Sequence, residues 1–369
     1  MIRIGVCLRT WGEKGGIGVY SRSLLEALLP LDSENQYFLF YQNRAHVGQF
    51  GHYKNVAEVH IPASSKLIWD QVNVPLYAAR EKVDILLHPK LAIPLLAKCK
   101  TVMVLHGTER FIYPEFSHKS DILYFKTLYP FYLRRATAII SVSEKARQDV
   151  IRFLNIDPRK VRTIHLAPVK HFRKIEDDSL LQSIRGKYGL PKRFVLNVGL
   201  IYPGKNIPNL LRALKLVREN ADIDLVIAGV GKRMYQDDLM MIDELALQDH
   251  VLLPGYIPHE DLVGVYNLAE AVVFPSFYES FPAIPLEANA CGCPVVTSRT
   301  GGTPEAAGEA ALYVDPHSVD EIAAAIRRVM TDSRLRKDLI EKGYQNVKRF
   351  SWDRTARQTL DLFEALVKE

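Results

Sequence analysis

Short apolar runs alternate along this chain with longer amphipathic stretches, the pattern of strand–helix–strand units that build parallel sheets. In the first half the runs predict strands near 2–8, 36–41, 83–87, 101–105, 137–142 and 161–165. Helices fall between them near 17–29, 69–80, 122–134 and 144–154. From about 167 to 192 the pattern lapses: Lys170 to Asp178 is charged, and Gly189-Leu190-Pro191 closes the stretch. A second series restarts at Phe194, with strands near 194–199, 223–228, 250–253, 271–274, 294–297 and 311–314. The expected organisation is two doubly wound α/β domains, 1–170 and 190–350, with a last helix at about 351–369 packing back on the first. Ligands of such sheets bind at the C-terminal ends of the strands, so residues just beyond the predicted strands are the candidates for chemistry.

Length agrees with two domains, since 369 residues exceed one ordinary α/β domain. Apolar residues make up 48% and charged residues 24%, the balance of a globular chain. No uncharged apolar run reaches the ~20 residues of a membrane-spanning helix. The start, Met1 to Thr10, lacks the apolar core and cleavage site of a signal peptide. The expected location is the cytoplasm. Cys7, Cys99, Cys291 and Cys293 lack paired C-x-x-C spacings and read as small buried thiols rather than a zinc site.

Charge divides the halves. Residues 1–170 carry 24 Lys and Arg against 14 Asp and Glu, whereas 171–369 carry 24 against 28. A basic first half calls for an anionic partner. Aromatics stand beside cations in Phe111-Ile-Tyr113, Tyr124-Phe125-Lys126 and Leu128 to Arg135. Resting on the inner face of an anionic membrane and ordinary core packing account for that pattern about equally well.

The most informative stretch runs from Pro275 to Gly292. It follows the apolar strand Ala271–Phe274 and leads into a helix expected to start near Pro282, a residue tolerated at a first helical position. Free N–H groups and the positive dipole end at such a terminus suit a pyrophosphate. Glu279 precedes the terminus and Glu287 lies about one and a half turns inside, so the two carboxylates could flank a diphosphate. Two Glu residues eight apart are common by chance, and alone they read as a solvated pair. In the first half, Gly15-Gly16-Ile17-Gly18 separates strand one from a helix with Val19, Leu24, Leu25 and Leu28 on one face. Its spacing is not that of the dinucleotide fingerprint, but such glycines let the backbone approach an anion closely. His106 ends an apolar strand, a place where a lone His is usually structural. Asp222-Ile223-Asp224 has the form of a metal-binding Asp-x-Asp, yet it opens a strand, so a strand-entry turn is the better reading. Asp237-Asp238 reads as a solvated helix face.

The context of the two Glu residues resembles the family 4 retaining glycosyltransferases of the GT-B fold. That family carries Glu-x7-Glu in a stretch similar to Pro275–Gly292. The resemblance continues through Pro294 to Ser298, Gly301-Gly302-Thr303-Pro304-Glu305 and Leu312 to Pro316. It implies two Rossmann-like domains facing each other across a cleft and transfer of a hexose from a nucleotide diphosphate sugar. It places Glu279 beside the donor hexose and Glu287 on the ribose hydroxyls. The resemblance likewise implies that Lys205 neutralises the leaving diphosphate and that His106 lies close to the donor sugar. Gly16, Ser280, Phe281 and Ala283 join the donor site, with Arg233 as a further source of positive charge. The chain departs from the family's pattern at Pro282, where Gly is usual and an N–H is lost. It departs also at Leu200, where many members have Arg, and at Gly107 in place of Asp.

The resemblance further implies that no cofactor and no metal is needed, and that the acceptor is a glycan, a lipid-linked sugar or a small molecule, with no nucleic acid involved. His106 with Pro114-Glu115 is similar to a mannosyl-transferring subgroup, which favours GDP-mannose over a UDP-hexose. A GT-B sugar phosphorylase, a sugar-nucleotide epimerase and a non-catalytic nucleotide binder are the alternatives. They differ in phosphate dependence, in an isomerised donor, and in no turnover at all.

Overall fold

A computed structural model describes the chain except for residues 14, 91, 230–235 and 369, and the side chains of 236–239. It divides into two compact units. Met1–Leu166 with Ser351–Glu369 forms one, and Ala167–Phe350 the other.

In the first unit seven strands form one parallel sheet. They are β1 (Arg3–Cys7), β2 (Gln36–Tyr41), β3 (Val56–His60), β4 (Ile85–His88), β5 (Lys100–Leu105), β6 (Ala138–Ser141) and β7 (Val161–Thr163). Their order is β3-β2-β1-β4-β5-β6-β7, with β1 and β4 central. Cys7, Phe38, Phe40 and Leu86 face Trp69, Val74 and Ala78 on one side. Met103, Leu105 and Ile139 face Phe125, Tyr129 and Leu133 among another set of helical residues. The helix Trp352–Lys368 belongs to this unit, where Trp352 meets Tyr20 edge to face and Thr355 donates to the carbonyl of His165.

The second unit holds six parallel strands in the order β10-β9-β8-β11-β12-β13. These are β8 (Phe194–Val198), β9 (Asp224–Ala228), β10 (Val251–Gly255), β11 (Ala271–Phe274), β12 (Val295–Ser298) and β13 (Leu312–Val314). Their side chains alternate between two cores. Val195, Leu225, Ile227, Ala271, Val273 and Val296 join the helices Ile207–Arg218 and Val319–Thr331. Phe194, Leu196, Val226, Val272, Phe274 and Val295 join residues of the helices His259–Leu268 and Ile284–Ala290. Burial on both faces explains the continuous apolar runs that mark these strands in the sequence.

The structure differs from the sequence reading in four places. Strand β3 is not predicted, because Glu58 interrupts its apolar run. It is a half-buried edge strand, and the Glu58 carboxylate accepts from the N–H groups of Gly48, Gln49 and Phe50. The charged stretch before Phe194 is not a linker: the helix Asp178–Tyr188 lies in it, capped by Asp177 and stopped by left-handed Gly189. Leu181 and Ile184 are buried, so residues from Ala167 onward belong to the second unit. The predicted helix 69–80 begins at Lys66 and is interrupted by a π-helical turn, Trp69–Asn73. Finally, most aromatics of the helix Lys119–Arg135 are core: Phe125, Tyr129 and Tyr132 are buried and Phe111 stacks on Tyr129.

Candidate active site

β8 and β11 lie side by side at the centre of the second sheet. The chain leaves β8 toward β9 on one side and β11 toward β12 on the other, so the two loops part beyond the strand ends. That parting is the crevice in which ligands of open α/β sheets bind. The β8 loop turns at Gly199, whose φ is +124°. It continues through a 3₁₀ turn, Pro203–Lys205, into Asn206 in the left-handed region. The turn swings Lys205 back over the strand end, so that a Cβ added at Gly199 would lie 3.5 Å from Lys205 Cε. Next door, a Cβ at Gly229 would meet the Gly199 carbonyl at 1.7 Å, and only glycine fits.

The loop after β11 is tied down from three directions. Buried Asn206 donates from Nδ2 to the carbonyls of Pro275 and Pro316 at 3.0 and 2.6 Å. The Phe277 N–H donates to the Gly204 carbonyl at 2.9 Å. Ser298, which ends β12, and Thr300, just beyond it, donate hydroxyls to the Ser276 carbonyl. Glu279 receives its own clamp: the Gly302 N–H donates to its carbonyl at 2.7 Å. Gly301 passes so close, at φ +57°, that a Cβ there would meet the Glu279 carbonyl oxygen at 2.1 Å. The Gly301-Gly302 pair therefore sets the position of Glu279.

These loops bring Lys205 Nζ to 2.7 Å from Glu279 Oε1, with only 9% and 14% of the side chains exposed. Lys205 is thus no solvated loop lysine. Breaking such a pair by removing one member leaves a poorly solvated charge, which costs about 3–5 kcal/mol.

The helix after this loop starts at Ile284, with Ala283 as N-cap and Pro285 in its first turn, rather than near Pro282. Glu287 accordingly lies in the first turn. It is buried against the core, where the Tyr266 hydroxyl donates to Oε2 at 2.7 Å. The inner face of the short helix carries it down beside Tyr266, so it is not the member of a solvated pair that the spacing alone would suggest. Burial lifts its carboxyl to about 7, and the hydrogen bond from Tyr266 offsets only part of that rise. Ser280 and Phe281 are also buried, Phe281 packing edge to face on Phe350 at 5.6 Å, while Ala283 is half-buried. Arg233 lies outside the described residues. Asp224 sits at the N-terminal end of β9, the edge opposite Glu279, where it pairs with Arg218 at 3.0 Å and faces His250 Nδ1 at 3.1 Å. Asp222 is exposed beside the same Arg218.

In the first unit, His106 follows β5 at the corresponding sheet edge. Its Nε2 donates to the Pro89 carbonyl at 2.9 Å and its ring meets Tyr20 edge to face at 5.0 Å. Burial lowers it to about 4, the Lys90 charge reinforcing and the Pro89 bond opposing the shift. His106 is therefore neutral at physiological pH, with Nδ1 left as an acceptor. Gly16 opens the helix Gly16–Leu31 behind the N-cap Gly15, which has no side-chain cap bond. A Cβ at either glycine would meet nothing within 4 Å, so the helix start stands in open space.

One polar cluster escapes sequence reasoning. At the switch between β1 and β4, Arg9 contacts both oxygens of buried Asp70 at 3.2 Å, and His88 Nε2 lies 3.3 Å from Oδ1. Burial pushes Asp70 up, but His88 and Arg9 outweigh it and hold the carboxyl below its usual range. Arg9 and His88 do stand just after β1 and at the end of β4. Asp70 reaches them from the π-helical turn, which no local motif announces.

Comparison with known proteins agrees with this geometry. The model described as "Glycosyl transferases group 1" matches residues 182–346, and "Glycosyltransferase Family 4" matches 14–167. The O-antigen chain mannosyltransferase B of Escherichia coli is 30% identical over 294 residues, 79% of this chain and 77% of that protein. The serotype-specific mannosyltransferase WbdA of the same species is 30% identical over 239 residues, 63% of this chain but 29% of its own length. A sucrose-phosphate synthase from Thermosynechococcus elongatus superposes with a TM-score of 0.79 at 20% identity, covering all of both chains. The chain belongs to the family 4 glycosyltransferases and has their two-domain GT-B fold.

Two consequences are testable here. Gly301→Ala adds a Cβ where backbone already sits and forces a left-handed φ on alanine. Displacing Glu279 by even ~1 Å should lower kcat by about tenfold or more, with a small effect on donor KM. Glu287 has a folded pKa of about 7 against an ordinary 4.5. The folded state therefore binds more protons between those values, and the carboxyl's contribution to stability falls as pH rises through that window. Glu287→Gln removes this titration. Its melting temperature relative to wild type should rise between pH 5 and pH 8 by the equivalent of a few kcal/mol; a pH-independent difference would contradict the burial.

Proposed function

We propose that the chain is a retaining, metal-independent mannosyltransferase, taking its sugar from a nucleoside diphosphate donor, GDP-mannose in preference to a UDP-hexose, and passing it to a glycan acceptor. The observation that carries the reading is the Lys205–Glu279 pair at the switch point of the second sheet. Breaking a sugar–diphosphate bond leaves negative charge on the phosphate and positive charge on the anomeric carbon and ring oxygen. A cation and a carboxylate held side by side supply one partner for each. Lys205 Nζ stabilises the departing diphosphate, and Glu279 lies where the hexose becomes oxocarbenium-like. The donor replaces a protein–protein pair with two protein–substrate contacts, so neither charge is left bare.

Retention follows from attack on the face the diphosphate leaves. The acceptor oxygen bonds to the anomeric carbon as the C–O bond to phosphate breaks, and the departing phosphate oxygen takes the acceptor's proton. No carboxylate nucleophile on the opposite face is required. The names of the relatives, an O-antigen chain mannosyltransferase and a serotype-specific mannosyltransferase, favour mannose as the sugar and a growing glycan chain as acceptor. Glu287, beside Tyr266, suits the ribose hydroxyls, and neutral His106 offers Nδ1 to a sugar hydroxyl.

The two carboxylates separate kinetically. Ribose hydroxyls do not change during the reaction, so Glu287→Gln should mainly raise donor KM. Glu279→Gln should lower kcat by about 10²–10³-fold, measured by donor hydrolysis where the acceptor is lacking. If Glu279→Gln alters KM alone, the sugar lies elsewhere. Metal independence is checked with EDTA: full activity is expected, and a loss restored by magnesium or manganese would return Asp222 and Asp224 to consideration.

A further inference from the structure

The chain passes from the second unit back to the first between Phe350 and Ser351. A large aromatic ring stands on each side of that peptide, and each leads to a residue of the candidate site. On the side of the second unit, Phe350 meets Phe281 edge to face at 5.6 Å, two residues beyond Glu279. The segment that ends in Phe350 grips the same region from another direction. Buried Asn346 donates from Nδ2 to the Ala306 carbonyl at 2.7 Å. Arg349 donates to Asn346 Oδ1 at 2.8 Å and to the Glu305 carbonyl at 3.4 Å. Glu305 and Ala306 belong to the short helix Thr303–Ala307, directly after the Gly301-Gly302 pair that clamps Glu279. The Arg349 guanidinium also lies 5.0 Å from the centroid of the Phe350 ring.

On the side of the first unit, the Ser351 hydroxyl accepts from the Arg354 N–H at 3.2 Å and caps the last helix. Trp352, the first residue of that helix, is buried and meets Tyr20 edge to face at 5.8 Å. Tyr20 in turn meets His106 at 5.0 Å. Neither the Trp352 Nε1–H nor the Tyr20 hydroxyl finds a hydrogen-bond partner among the described residues, so ring packing places both side chains. Thr355, one turn on, holds the helix end down by donating to the His165 carbonyl at 2.8 Å. His165 stands just before Leu166, where the chain first leaves this unit.

We propose that Phe350 and Trp352 are positioning residues for sugar transfer: Phe350 seats the loop that carries Glu279, Trp352 seats His106 through Tyr20, and the single residue between them sets both groups jointly. The kinetic side of this inference rests on the sugar-transfer reading, whereas the placement of His106 does not. Each ring acts through a neighbour. Loss of the Phe350 ring frees Phe281 and lets the stretch after Glu279 drift, where ~1 Å of misplacement can cost up to about 100-fold in rate. Loss of the Trp352 ring leaves Tyr20 without its support and admits water beside the imidazole. The charge that bears on His106 is that of Lys90, itself paired with Glu13, and Tyr20 is the titratable group packed on its ring.

The full chain and its variants Phe350→Leu, Trp352→Leu, Trp352→Phe and the double Leu variant are compared in donor hydrolysis. Phe363→Leu is the control: Phe363 is fully buried on the same helix, about three turns further along. It should lower the melting temperature and leave kcat unchanged. Phe350→Leu and Trp352→Leu should each lower kcat about tenfold with little change in donor KM, and Trp352→Phe should recover most of the loss. The double variant should fall short of the roughly 100-fold product of independent effects. Histidine NMR reads the placement without turnover. His106 should titrate at about 4 in wild type, where burial holds it below the ordinary 6.5. Trp352→Leu should move that midpoint upward, Phe350→Leu should move it the same way by less, and Phe363→Leu should leave it in place. If the midpoints move in this order while wild type turns over no nucleotide-sugar, the sugar-transfer reading fails and the joint placement stands. A midpoint unmoved by Trp352→Leu or by Phe350→Leu, a fully multiplicative double variant, or an equal loss of kcat in Phe363→Leu would each overturn the proposal.

Discussion

The second unit is organised around one ion pair. Lys205 and Glu279 lie on separate loops, 74 residues apart in sequence, and meet at 2.7 Å because β8 and β11 are neighbours whose loops diverge. Holding two largely dehydrated charges in register is costly unless the backbone beneath them is fixed. The structure fixes it with groups that have little else to do. Asn206 is spent on two carbonyls, Gly204 on the Phe277 N–H, and Ser298 and Thr300 on Ser276. Gly229 and Gly301 are places where backbones approach too closely for any side chain, and Gly199 turns the chain at a φ of +124°. The sheet supplies the position and the loops supply the rigidity. The pair is then poised for a ligand that carries both an anionic and an electron-poor centre.

The two glutamates of the Glu-x7-Glu stretch are chemically different groups because of what surrounds them. Glu279 faces a lysine and keeps company with charge. Glu287 faces a phenol in an apolar core, and burial raises its carboxyl toward neutrality. Environments that push two like groups apart commonly mark a division of labour, which matches the separate roles proposed for them at the reacting sugar and at an unreacting part of the donor. The first unit offers a milder version of the same contrast. His106 is neutral and hydrogen-bonded to backbone, whereas the Arg9–Asp70–His88 cluster concentrates charge at the other strand ends.

Much of this is legible in the sequence, for identifiable reasons. Strands buried on both faces leave continuous apolar runs, so twelve of the thirteen among the described residues can be read directly, and β3 is lost only because an edge strand tolerates Glu58. Lys205 and Glu279 can be picked out because each follows a strand and stands in a recognisable run. Other features depend on tertiary contacts. The helix Asp178–Tyr188 has too few apolar residues to stand out, and its place is decided by Leu181 and Ile184 reaching a core built elsewhere. The burial of Glu287 depends on a seven-residue helix packing its inner face beside Tyr266, a contact no local motif announces. Periodicity does not separate inward aromatics from outward ones in Leu123–Arg135, because both faces of that helix carry large apolar groups. Membership of the family 4 glycosyltransferases, in contrast, is carried by the run from Pro275 to Pro316 and by relatives that match along most of the chain.

The central claim is that the Lys205–Glu279 pair opens onto a nucleoside diphosphate. Equilibrium titration of GDP and of guanosine into wild type and Lys205→Met tests it without an acceptor or a turnover assay. Wild type should bind GDP far more tightly than guanosine, and Lys205→Met should bring the two close together, losing about 1.5–3 kcal/mol of the charge-assisted contact to phosphate. If Lys205→Met holds GDP as tightly as wild type does, with the protein still folded, the diphosphate is not bound at this pair and the account of the site is wrong.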